Sequence, residues 1–148
     1  HIAGAGRSFE IMSAALKERG VHLDGTGCEL RQYIYDMPLV MAAADLVLCR
    51  AGASTLAELS AIAKPAILVP SPNVTANHQE KNAQVLALAG GAVLLLEPDC
   101  SGQTLYRQAA DLLEDGPRRD KMIRSLRGLG IPDAGERIYT TLRSLMRD

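Results

Sequence analysis

Short apolar runs, each bounded by charge, glycine or proline, alternate along this chain with longer stretches in which apolar positions recur every three or four residues. The runs at 46–49, 66–70 and 92–96 are too short for helices and too continuous for half-exposed strands, which predicts parallel strands covered on both faces. A further strand is expected at the start, where His1, Ile2 and Ala3 run into the turn Gly4-Ala5-Gly6, and another ending at Tyr33 and Ile34. Between them the spacing predicts helices. One runs from residue 9 to about 19, capped by Ser8, striped by Ile11, Met12, Ala15 and Leu16, and closed by Gly20. A second opens at Asp36-Met37-Pro38 and runs to Ala44, and a third, capped by Ser54 or Thr55, ends near Ala63 before Lys64-Pro65. A fourth spans 77–89 with Asn77 as its cap and Gly90-Gly91 as its stop, and three more follow at 104–113, 117–129 and 134–146. Strands alternating with helices imply right-handed crossovers, hence an α/β fold with a Rossmann-like parallel sheet flanked by helices.

Composition narrows what such a fold can do. At 148 residues the chain fits one domain, 1–148, with one core, burying about two-thirds of its unfolded surface. With no Trp and a single Phe, that core must be aliphatic. A formal net charge of -1 provides no broad positive field, so nucleic acid is not expected as a partner. The basic residues gathered between Arg118 and Arg147 alternate with apolar positions at helical spacing and read as a solvated face. Cys28, Cys49 and Cys100 form no CxxC pair, and His1, His22 and His78 have no metal-ligand spacing, so neither a zinc site nor a disulfide framework is indicated. An odd number of separated cysteines suits the reducing cytoplasm. No apolar stretch approaches the ~20 residues of a membrane span.

Against that background, residues 45–58 carry the chemistry. A buried strand feeds the small-residue loop Ala51-Gly52-Ala53, which opens a helix at Ser54-Thr55 with Glu58 on the same side one turn on. Helix-start N–H groups favour phosphate, and a carboxylate beside them can accept hydrogen bonds from sugar hydroxyls. Taken alone, the pattern also fits tight strand–helix packing. A second polar group, Asn77-His78-Gln79 with Asn82, opens the next crossover helix and offers donors and acceptors without fixed charge; standing alone, it fits a helix cap with a solvated first turn better. In a parallel sheet the segments 33–37, 50–58 and 70–79 are expected to share the ligand-binding edge.

The chain resembles the C-terminal, donor-binding domain of the MurG family of peptidoglycan N-acetylglucosaminyltransferases, glycosyltransferase family 28. The likeness rests on Tyr33-Ile34-Tyr35-Asp36-Met37 followed by Ala42-Ala43-Ala44-Asp45, on the block from Cys49 to Glu58, on Pro65 with Val69-Pro70, on Asn77-His78-Gln79 with Asn82-Ala83, and on the ending from Gly128 to Ile138. It covers residue 33 onward well and 1–32 loosely. The resemblance implies half of a GT-B transferase and UDP-N-acetylglucosamine as the donor held by this half, with no metal or other cofactor. Carried over by position, the backbone of Ile34 would bond uracil and Met37 would pack near the base. Gly52, Ala53, Ser54 and Thr55 would receive the diphosphate, Glu58 the ribose hydroxyls, and His78, Gln79 and Asn82 the sugar side. Arg50 is expected to be structural, and Glu97 and Asp99 to be surface loop charges.

Two departures from the family pattern shape the expectation. The glycine-rich loop that follows the family's first strand has no counterpart here, and neither does its N-terminal domain, so the sheet is expected to be truncated at its N-terminal edge. The implied reaction is an inverting, metal-independent transfer onto a polyprenyl-linked acceptor. The acceptor and the general base would be held by the missing domain, leaving no catalytic residue in this chain and the chain alone inactive. The parent would sit at the inner face of the cell membrane, and the strand edge near His1 could pair with a second copy. A donor-binding subunit of a two-chain transferase and a non-catalytic sugar-nucleotide module are the alternatives.

Overall fold

A computed structural model describes residues 2, 3, 7–21, 23 and 27–146. They divide into two compact units, His1–Ala43 and Ala44–Asp148. The predicted turn at Gly4-Ala5-Gly6 lies outside the described residues.

The first unit contains β1 (Ile2–Ala3), α1 (Arg7–Glu18), β2 (Leu30–Arg31) and α2 (Met37–Ala43). β1 and β2 pair in parallel, Ile2 opposite Leu30. Helix α1 ends as glycine predicts: Gly20 takes φ 69°, its N–H donates to the Lys17 carbonyl at 3.0 Å, and that of Val21 donates to Leu16 at 2.9 Å. The strand expected to end at Tyr33 and Ile34 instead stops at Arg31. Arg31 is turned onto two carboxylates, Glu29 at 2.6 Å and Asp36 at 3.2 Å, while the Asp36 carbonyl accepts from Leu39 and Val40 and so starts α2. Asp36 thus opens the helix through its carbonyl, with its side chain held by Arg31.

The second unit is a three-stranded parallel sheet of β3 (Val47–Cys49), β4 (Ala66–Leu68) and β5 (Ala92–Leu94), in that order. Leu48, Ile67 and Val93 stand in register across it. β4 is buried throughout, as its apolar run requires. β3 departs from the expectation of two covered faces: Leu48 is half exposed, and β3 is an edge strand of this sheet. The helices are α3 (Ala53–Ala61), α4 (His78–Leu88), α5 (Gly102–Glu114), α6 (Gly116–Arg127) and α7 (Ala134–Leu145), with 3₁₀ turns at Thr75–Asn77 and Glu97–Asp99. Helix α3 packs against α4 and α6, and α5 against α6. Ile67, Val69, Leu112 and Met122 form one core cluster, with Leu46, Val93 and Leu105 packed on it. This is the aliphatic core that the near-absence of large aromatics demands.

Helix ends in this unit are set by specific hydrogen bonds. Helix α3 closes with Ala63 at φ 51°, its N–H on the Ser60 carbonyl at 3.1 Å and that of Lys64 on Leu59 at 2.9 Å. The same closure at α4 uses Gly90 at φ 78°, with the Gly91 N–H on Leu86 at 2.9 Å. Helix α5 starts two residues before the expected Thr104. Ser101 Oγ accepts the Thr104 N–H at 3.1 Å, and the Ser101 N–H returns to Thr104 Oγ1 at 2.8 Å. Replacing Ser101 with alanine is expected to cost about 1 kcal/mol in a urea titration, with the same dependence on denaturant concentration. Asp115 likewise holds the Arg118 N–H at 2.9 Å to open α6, and Arg119 donates to the Leu112 carbonyl at 2.6 Å to close α5. One member of the C-terminal basic group is therefore a helix clasp. Helix α7 buries none of its residues.

Candidate functional site

The C-terminal ends of β3 and β4 carry the polar groups that the sequence singles out. After Cys49 the chain passes through Arg50 and the fully buried Ala51 to Gly52, the residue that caps α3. Gly52 is extended (φ -66°, ψ 143°), its carbonyl accepts the Leu56 N–H at 3.0 Å, and no side chain caps the helix. Ser54 and Thr55, expected as caps, lie inside the first turn instead. A Cβ at Gly52 would approach only Thr55 Oγ1, at 3.8 Å, and the backbone angles are open to any residue, so the space above the helix start would take a side chain. The amides of Ala53, Ser54 and Thr55 have no acceptor within their own helix. Such amides are the groups from which an anion at a helix start would accept hydrogen bonds. Glu58, one turn along α3, is exposed and unpaired among the described residues.

Helix α4 brings the second group to the same edge. Asn77, at φ 52° and ψ 34°, is left-handed, an arrangement its short amide tolerates. Asn77 holds the N-cap position of α4 as expected, but its side chain donates to Glu80 and makes no capping hydrogen bond to the helix backbone. His78 Nδ1 lies 2.8 Å from the Thr75 carbonyl. A carbonyl only accepts, so that nitrogen carries the proton and Nε2 of the neutral ring is an acceptor. Gln79 Oε1 accepts the Ser71 N–H at 2.9 Å, leaving its NH2 group as what it can offer a ligand. Asn82 Nδ2 reaches the Ala51 carbonyl at 3.5 Å, a direct tie between α4 and the loop that opens α3. Of the sequence-predicted residues, Gly52, Ala53, Ser54, Thr55, Glu58, His78, Gln79 and Asn82 thus belong to one edge of this unit. Ile34 and Met37 belong to the first unit, where Ile34 is buried and Met37 begins α2, exposed.

One pair beside these residues has a structural role. Arg50, beyond β3, donates to the Val69 carbonyl at 3.1 Å and is held fork-to-fork by both carboxylate oxygens of Glu97, beyond β5. The hydrogen bond from Arg50 holds the Glu97 carboxyl below its ordinary range. Glu97 is therefore more than a surface loop charge. Its signal in the sequence is position: both residues directly follow apolar strands, so both emerge at the same end of a parallel sheet. A hollow of about 250 Å³ beside the pair is lined by Pro70, Pro72, Asn77, Glu80, Leu96, Glu97 and Pro98. Burial pushes the Cys49 thiol up to about 11.

Comparison with known proteins places this edge in a family. The model of the glycosyltransferase family 28 C-terminal domain matches residues 1–138. The chain belongs to that family. Among curated family 28 relatives, a UDP-N-acetylglucosamine–N-acetylmuramyl-(pentapeptide) pyrophosphoryl-undecaprenol N-acetylglucosamine transferase of Acetivibrio thermocellus is 47% identical over 116 residues, 78% of this chain and 31% of that protein. The equivalent transferase of Anaeromyxobacter dehalogenans is 44% identical over 130 residues, covering 88% of this chain and 34% of its own length. Transferase 1 of Bacillus cereus is 40% identical over 139 residues, 94% of this chain and 37% of that protein. The chain thus spans about a third of the length of these relatives. The solved structure of Acinetobacter baumannii MurG superposes with a TM-score of 0.76 at 24% identity, over 95% of this chain and 41% of that one. The family 28 fold, a small parallel sheet flanked by helices as in the C-terminal half of a GT-B enzyme, is therefore the fold of this chain. Among the described residues, no helix is long and apolar enough to cross a membrane.

Proposed function

We propose that this chain binds UDP-N-acetylglucosamine as the donor half of an inverting, metal-independent N-acetylglucosaminyltransferase. The observation that carries the reading is the Asn82–Ala51 hydrogen bond, 3.5 Å long, which ties the polar start of α4 to the loop that opens α3. It brings the start of α3 and the polar start of α4 to one edge, where an anion and a sugar could be met together. In this reading the first-turn amides of α3, Gly52 to Thr55, take the diphosphate and Glu58 takes the ribose hydroxyls. His78 accepts from a sugar hydroxyl through Nε2, and Gln79 donates through its amide. The base contacts of Ile34 and Met37 belong to the same proposal and rest on the family resemblance.

The chemistry follows from that assignment. When an acceptor hydroxyl attacks the anomeric carbon, the bond from that carbon to the diphosphate oxygen breaks and the electron pair leaves with UDP. Negative charge grows on the diphosphate, and oriented helix amides stabilise it more in the transition state than in the bound donor. The polyprenyl-linked acceptor and the base that takes its proton would be supplied by a further domain at the inner membrane face, so this chain alone binds donor without turning it over.

Calorimetric titration of the chain with UDP and with UDP-N-acetylglucosamine tests the reading. Both are expected to bind, the sugar nucleotide more tightly by the contacts of His78 and Gln79. A chain that binds neither would overturn it.

A further inference from the structure

Arg50, Val69-Pro70 and Glu97 follow β3, β4 and β5 in turn, so a single guanidinium stands at the C-terminal end of all three strands. Its Nη1 pairs with Glu97 Oε2, donates to the Val69 carbonyl at 3.1 Å and reaches the Pro70 carbonyl at 3.5 Å, while Nη2 lies 3.4 Å from Glu97 Oε1. The Pro70 carbonyl and the Ser71 N–H belong to the same peptide plane. That N–H donates to Gln79 Oε1 at 2.9 Å. One peptide is therefore held from both sides, by Arg50 on its oxygen and by Gln79 on its hydrogen. Because Oε1 is engaged, the orientation of the Gln79 amide is fixed and its NH2 group is turned away from the backbone. We infer that Arg50, held by Glu97, is a positioning residue: it fixes the Pro70–Ser71 peptide and so presents Gln79 as a hydrogen-bond donor to the sugar of the nucleotide.

The inference deepens the donor reading and rests on it for the ligand, but the clasp itself can be tested without one. Arginine suits the position because Nη1 meets the two carbonyls and one Glu97 oxygen while Nη2 lies 3.4 Å from the other, a two-nitrogen pairing with the carboxylate that a lysine ammonium cannot make. The side chain is half exposed, so its contribution to global stability is small. Its effect is local. In Arg50→Met, which keeps the apolar stem, and in Glu97→Gln, the Ser71 amide is expected to exchange with solvent about five- to tenfold faster, with amides of α5 and α6 unchanged. In the same variants the affinity for UDP is expected to stay as it is, while the preference for UDP-N-acetylglucosamine over UDP falls by about five- to tenfold. A merely structural role would weaken both ligands together.

The measurements are residue-resolved hydrogen exchange on the ligand-free chain, and calorimetry with UDP and UDP-N-acetylglucosamine on the chain and both variants. Unchanged exchange at Ser71 would overturn the clasp, whatever the ligands do. Faster exchange with an unaltered preference would overturn its role in sugar recognition. If the unsubstituted chain shows no preference for the sugar nucleotide, the sugar half of the donor reading falls and that role with it, while the exchange result still decides the clasp.

Discussion

Glu58→Ala is expected to weaken UDP binding by about 10- to 100-fold, the loss of a charge-assisted hydrogen-bond pair worth about 1.5–3 kcal/mol. Glu58 stands one turn beyond the first-turn amides of α3, exposed and unpaired among the described residues. Its carboxylate accepts only, and two vicinal ribose hydroxyls supply two donors to its two oxygens. Glu58→Gln keeps one acceptor oxygen and removes the charge, so it should fall between the two. Neither change touches a core contact, and thermal stability should stay within about 0.5 kcal/mol of the unsubstituted chain. Calorimetry with UDP reads the effect; equal affinity in all three proteins would remove Glu58 from the site and shift the ribose elsewhere.

The parts of this fold that could be read from the sequence are those fixed by local chemistry. β4 is a continuous apolar run because it is the central strand, and Gly20 and Gly90 mark helix ends because each takes a positive φ, 69° and 78°. The family blocks from Cys49 to Glu58 and from Asn77 to Ala83 were legible for the same reason: each is a strand-to-helix junction whose residues are neighbours in sequence. What escaped depends on partners far along the chain. Arg50 and Glu97 are separated by two crossovers, and only the parallel pairing of β3, β4 and β5 brings them together. Helix starts escaped for a subtler reason. Ser54, Thr55 and Asn77 are good capping residues by type, yet Gly52 turns α3 earlier and the Asn77 amide is taken by Glu80. The shift places Ser54 and Thr55 among the free amides of the turn, which the proposed donor reading assigns to the diphosphate. Leu48 was misread because a strand's apolar run does not reveal whether it is central or at an edge.

Gly130→Ala is expected to destabilise the chain by about 2–3 kcal/mol, because the added methyl has nowhere to go. Its Cβ would lie 2.4 Å from the Ser60 carbonyl oxygen, 2.9 Å from the Ser60 carbonyl carbon and 3.1 Å from Ala61 Cα. All three are backbone atoms at the end of α3, and none can swing aside as a side chain would. They are also committed: the Ser60 carbonyl accepts the Ala63 N–H at 3.1 Å, and the Ser60 hydroxyl, buried, donates to Leu56 at 2.8 Å. Gly130 in turn donates to the Leu126 carbonyl at 3.0 Å, so the connection from α6 cannot lift away without giving up a helix-end bond. Gly135→Ala is the control, since a Cβ there meets nothing within 4 Å and lies in α7, where alanine is favoured over glycine by about 0.5–1 kcal/mol. Urea titrations of the two variants should therefore move in opposite directions from the unsubstituted chain. If Gly130→Ala matched it, the close seating of the α6–α7 connection on α3 would be wrong. The larger consequence would be for the site, because α3 is seated at its far end by this contact and, in the proposed donor reading, carries the diphosphate amides at its start and Glu58 one turn on. Loss of nucleotide affinity in Gly130→Ala, with every binding residue intact, is the expected signature of that coupling.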